Sequence, residues 1–295
     1  MHRLRIVITG LAVLGAATLL SGCAAPSSGS IELPPKNETK WVLPLDEFTW
    51  ANSSLRDYAE ALIERDCYAK KGVDWPVPWQ PTERGEGASF SPGMQRIMNE
   101  ALASKYGYHT APQTYEGHDA WMTFLGKTNK IASSTPGFDQ IMDGCQAESR
   151  GALPLPSDDD RDYTVAAASQ IYDEAVLSSK VSAAADKWAQ CMSAAGYGGI
   201  AASPDKMPPN DKAESWGVGI PGTKAGSEEI TVASADVACR TSSGWTTALY
   251  TEEWKQQANF VKSNSDRLTR IRDEFTKERK MLLDAVAKHA PEHEG

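Results

Sequence analysis

"WAQCMSAAGYGG", Trp188–Gly199, decides how this chain is read. It closes a long Ala-rich run, Tyr163–Gly196, that contains no proline and ends on a glycine, the pattern of a helix and its stop. A cysteine sits in the last turns of that helix. The same Cys-x4-Gly spacing occurs in "CYAKKG", Cys67–Gly72. There it follows Leu55, Tyr58, Leu62 and Ile63, which recur at helical spacing. Each glycine is followed by a Gly/Pro-rich connection. Each connection leads to a further helical pattern with its own cysteine, "IMDGCQAE" around Cys145 and "SADVACR" around Cys239.

The order helix with cysteine, glycine stop, connection, helix with cysteine therefore occurs twice. Three pairings of these four cysteines are possible, and the repeated order predicts Cys67–Cys145 and Cys191–Cys239. The repeat is loose, since Trp188 falls where Glu64 would and the cysteine separations differ. Redox or metal chemistry has little support, because no Cys-x-x-Cys and no neighbouring histidine occurs.

A fifth cysteine, Cys23, stands apart. "MHRLR" followed by the uncharged run "IVITGLAVLGAATLL" has the form of a signal peptide, too short and too lightly flanked for a spanning helix. The run ends in Leu20-Ser21-Gly22-Cys23, which resembles the lipobox of bacterial lipoproteins. That resemblance implies diacylglycerol transfer to the Cys23 thiol, cleavage after Gly22, and anchoring by several acyl chains such as palmitate. An ordinary secretory cleavage site is the competing reading. Residues 23–45 are rich in Pro, Ser and Gly and are expected to form a flexible tether.

After cleavage, 28 basic residues face 39 acidic ones, a net charge of −11. Such a chain has no field of its own for nucleic acid and is repelled by anionic headgroups. Membrane affinity must come from the anchor.

The body is expected to be mainly α, with no convincing strand pattern. It divides into a first helical unit, 46–150, a second, 151–243, and a C-terminal segment, 244–295. "SPGMQRIMNEALASKYG" is a helix with Ser91 before Pro92 and Gly107 at its end, and the long helix before Gly196 has a candidate break near Ser178. Residues 197–226 form a long connection rich in Gly and Pro, and "SEEITVASADVACR" opens a helix with Glu228 and Glu229 in its first turn.

In the C-terminal segment Trp254, Val261, Leu268, Phe275 and Leu282 recur every seven residues, while Asn264 and Glu278 interrupt the second stripe. Asp266–Arg270, Asp273–Lys277 and Asp284–Lys288 support a helix at i,i+4. This predicts one long helix packed along its own domain, with a dimeric coiled coil as the alternative.

The lipobox, "CMSAAGY" and "EEITVASADVACR" together resemble secreted lipoproteins common in actinobacteria, clearly over Lys187–Arg240 and loosely over Tyr58–Glu148. The resemblance implies an extracytoplasmic, disulfide-bonded protein and carries over no catalytic residue.

Motifs for chemistry fail on context. "HAPEH", His289–His293, matches His-x-x-Glu-His but holds Pro291 inside it. "SDDDRD" lacks the glycine and glutamate of a calcium loop and suits a helix start. "SPDK" has no companion motif, and "GVGIPG", Gly217–Gly222, has no strand before it. No catalytic residue, metal or cofactor is assigned. Trp75 and Trp79 flank prolines in "WPVPWQP" and are the candidate binding residues, stacking on a wall glycan or gripping a peptide. The plainer alternative is that they fold back onto the core. Trp188, Trp245 and Trp254 lie on helices and are expected in the core.

The expected function is a membrane-anchored binding protein of the cell envelope, on the outer face of the membrane, and not an enzyme. The alternative is a scaffold subunit acting through the C-terminal helix.

Overall fold

The computed structural model describes residues 31–49, 52–83, 99–112, 114–156, 158–220 and 222–293. The signal segment, Cys23, Ser91 and Pro92 lie outside them. Among the described residues the protein is all-helical, with ten α-helices and no strand. They are α1 (Ser53–Lys70), α2 (Glu100–Tyr106), α3 (His118–Ser134), α4 (Phe138–Ala152), α5 (Asp158–Val176), α6 (Ser179–Ala194), α7 (Asn210–Trp216), α8 (Ser227–Ser243), α9 (Trp245–Ser263) and α10 (Ser265–His289).

Both disulfides close as the repeated order predicts. Cys67–Cys145 ties α1 to α4, and Cys191–Cys239 ties α6 to α8, each with Cα atoms 5.5 Å apart. The two stops are alike in detail. After Cys67 the Gly72 amide donates to the Ala69 carbonyl and the Val73 amide to the Tyr68 carbonyl. After Cys191 the Gly196 amide donates to Ser193 and the Tyr197 amide to Met192, the same positions counted from each cysteine. Both glycines hold positive φ, 77° and 91°, which this helix-ending bond pair requires.

The C-terminal run departs from a single helix at Asn264, which leaves helical backbone at φ −122°, ψ 22° and separates α9 from α10. Its side chain accepts from the Tyr163 hydroxyl at 2.8 Å. The second interruption of the heptad, Glu278, is buried against Arg56 of α1. Leu282 and Val286 of α10 join Leu55, Tyr58 and Leu62 of α1 in one core cluster. The break near Ser178 separates α5 from α6 as expected.

The two expected units are interlocked rather than side by side. Ala103 of α2 packs with Val232 and Ala233 of α8, so a helix from the first half completes the core of the second. The α10 helix returns from the far end of the chain to complete the core of the first. Helices α5 and α9 lie between, sharing Ile171, Ala175, Leu249 and Val261 with their neighbours.

Residues 31–45, expected as tether, are folded onto this middle layer. Trp41, Leu43 and Leu45 are buried. The Trp41 indole donates to Glu253 of α9 at 3.2 Å and the Leu45 amide to Gln257 at 2.9 Å. Trp41 holds φ 51°, a conformation rare for a bulky residue, so packing on Tyr250 outweighs its local preference. The apolar run Trp41–Leu45 was present in the sequence, but the Pro/Ser/Gly content before it obscured the signal. The connection 197–226 is also structured: it contains α7 and the short turn Pro204–Lys206, and Met207 is fully buried.

Candidate functional site

The two tryptophans of "WPVPWQP" have separate fates. Trp75 folds back: its ring packs on Tyr68, Phe138 and Phe124 at centroid distances of 4.8, 5.7 and 5.7 Å. Burial pushes the neighbouring Tyr68 hydroxyl up to about 12. Trp75 therefore belongs to the core, where the plainer reading put it. Trp79 is partly buried, like Trp75, but its neighbour is the chain end: its ring stacks on the His293 imidazole at 3.9 Å and 22°.

Trp79 lies in a built surface. Gln80 beside it is buried, and its amide nitrogen donates to the Trp79 and Gly117 carbonyls at 2.7 and 2.8 Å. Gly117 has φ +82°, and a Cβ there would crowd that amide, so the turn needs glycine. The buried Gln80 carbonyl oxygen has no hydrogen-bond partner among the described residues. His293 meets Glu116 at 3.0 Å, and Tyr115 and His118 contact edge to face at 5.2 Å. Residues 114–120 line a shallow hollow of about 590 Å³ against this patch. Aromatic faces with carboxylates around them suit a ligand with rings and hydroxyl or amide groups.

The "HAPEH" histidines diverge. Helix α10 ends at His289, whose Nδ1 meets Asp66 at 2.6 Å, whereas His293 turns to Trp79 and Glu116. No grouping of three metal-ligating side chains occurs among the described residues.

A second constellation was invisible in the sequence. Glu229, expected in the first turn of α8, is there and is fully buried. Its Oε1 accepts the Tyr108 amide at 2.7 Å and lies 2.9 Å from His109 Nδ1, while His109 Nε2 lies 3.0 Å from the Thr223 hydroxyl. Carboxylate, imidazole and hydroxyl thus stand in the order of a nucleophile relay. The hydroxyl, however, also reaches the Gly217 and Ile220 carbonyls at 2.7 and 2.6 Å. Its single proton thus has two carbonyl acceptors beside the imidazole, and these contacts tie His109 to the loop 217–223.

Next to it Asp236 is buried and fully satisfied by Trp188 Nε1 at 2.8 Å, the Tyr108 hydroxyl at 3.1 Å and Arg240 at 2.8 and 2.9 Å. Burial first, then Asp236, pushes the Tyr108 hydroxyl far above the phenol range. His109 stands 114 and 120 positions from Thr223 and Glu229, and no spacing rule brings it to them.

No family model matches the chain, and no significant similarity was found among curated proteins or solved structures.

Proposed function

We propose that this chain is a lipid-anchored protein of the outer face of the cell membrane that binds an envelope component and carries out no chemistry of its own. Cysteine parity carries the anchoring half of the reading. Of five cysteines, four close into two disulfides, which suits an oxidising compartment. The fifth, Cys23, stands where the apolar leader ends in Leu-Ser-Gly-Cys. Labelling with radioactive palmitate in a bacterial host tests it: the parent takes up label and partitions into detergent, and Cys23→Ser does neither. Label retained by Cys23→Ser would sink the anchor.

The binding half rests on Trp79, a partly exposed aromatic beside the buried Gln80. The ligand class is a cell-wall glycan or a peptide. In pulldowns with purified wall fragments and peptides, Trp79→Ala should lose retention while its melting temperature stays close to the parent's. Retention equal to the parent's removes Trp79 from the role. The rival role, a scaffold acting through the C-terminal helix, would use the charged outer face of α10, because its apolar face is covered by α1 at one end and by residues 31–48, α5 and α9 at the other.

A further inference from the structure

We propose that the α9–α10 elbow at Asn264 is the membrane-proximal pole of the protein, held against the lipid surface by a short leash. This rests on the reading of Cys23 as the lipidated residue. The domain begins much closer to that cysteine than the tether-like composition of residues 23–45 implies. Ile31 is already buried, in a cluster with Val261, Leu268 and Ile271, which flank Asn264 on both helices. Leu33 packs on the same cluster.

From Cys23 to Ile31 is a span of eight residues, and a fully extended chain of that length reaches about 26–29 Å. Ile31 cannot stand farther than that from Cys23, and the elbow shares its cluster. From the elbow α10 runs 25 residues, about 37 Å at roughly 1.5 Å per residue, to His289. His293 and Trp79 lie just beyond that end. The leash therefore favours the elbow facing the bilayer and the aromatic patch facing away, toward wall material.

Charge does not set this orientation. Lys262, Arg267, Arg270 and Arg272 at the elbow, with Arg161 of α5, are offset by Asp266 and Asp273 and by Asp159, Asp160 and Asp162 at the start of α5, with Arg267 paired to Asp160 at 2.7 Å. A nearly balanced pole is neither drawn to nor driven from anionic headgroups, unlike the acidic protein as a whole. The orientation should be insensitive to salt.

The test uses the full lipidated protein in phosphatidylcholine–phosphatidylglycerol vesicles that carry a headgroup-linked acceptor dye. Lys262→Cys and Lys288→Cys, both at exposed positions, receive the same donor dye. Energy transfer from position 262 is expected to exceed that from 288 by about twofold or more, given the helix length between them, in low and high salt alike. Equal or reversed transfer in protein that floats with the vesicles overturns the orientation and leaves the anchor standing. Protein that fails to float overturns both. Inserting twenty Gly/Ser residues after Ala25 lengthens the leash without touching the fold and should erase the difference; a difference that persists means that the leash does not set the orientation.

Discussion

Arg56 on α1 and Glu278 on α10 lie 222 positions apart, yet Arg56 Nε and Nη2 both donate to Glu278 Oε1, at 2.8 and 2.6 Å. Nη1 donates to Glu60 and to the Leu153 carbonyl, and Nη2 also to the Pro154 carbonyl. One guanidinium thus joins α1, α10 and the strand of chain leaving α4. Asn52 supplies Glu278 Oε2 with a further donor at 2.8 Å.

Glu278→Ala is expected to destabilise the protein by about 1.5–3 kcal/mol, because it removes the charge-assisted bonds to Arg56 and Asn52 while Glu60 and the Leu153 carbonyl still hold the guanidinium. Replacing both partners, Arg56→Met with Glu278→Leu, should cost much less. Urea unfolding would show the single variant with a lower midpoint than the pair. The reverse order would mean that the ion pair is solvated.

Removing Cys191–Cys239 by a double change to alanine is expected to cost about 2–4 kcal/mol, from a closed loop of 48 positions. Because α2 packs on α8, hydrogen exchange should quicken over Glu100–Tyr106 as well as over α6 and α8. Exchange confined to residues 179–243 would mean that the two halves are independent.

Gly107→Ala should be far more damaging than Gly72→Ala. Both glycines have positive φ, but a Cβ at Gly107 runs into the buried Glu229 carboxylate, whereas Gly72 faces open space. The expected losses are about 2–4 and about 1 kcal/mol, read as melting temperatures. Equal losses would show that Glu229 moves aside freely.

Asp66 links α1 to the end of α10 through His289. Burial pushes its carboxyl up, but hydrogen bonds from Arg65 and His289, with their charge, outweigh burial and hold it below the usual aspartate value. A depressed carboxyl adds stability above its unfolded pKa and loses it as pH falls through the folded value, here below about pH 4. Asp66 is more than a third exposed, so solvent limits the gain to about 0.5 kcal/mol. Asp66→Asn should therefore melt slightly below the parent at pH 7 and match it near pH 3. A gap that stays constant with pH would show that the carboxylate charge is not involved.

The sequence by itself determined the helical class, the two disulfides and the glycine stops. Each depends on residues within a few positions: a 3.6-residue apolar period, a glycine able to take positive φ, an even set of cysteines in a repeated order. Trp75 and Trp79 read alike at that range, since both flank prolines. Only the tertiary structure decided that Trp75 meets Phe124 and Phe138 while Trp79 meets His293. It also decided that α2 crosses to α8, that residues 31–45 dock on α9, and that Glu229 goes inside. In each case the deciding partner is tens to hundreds of residues away, and which faces bury one another is set by the packing of the whole core rather than by any local pattern.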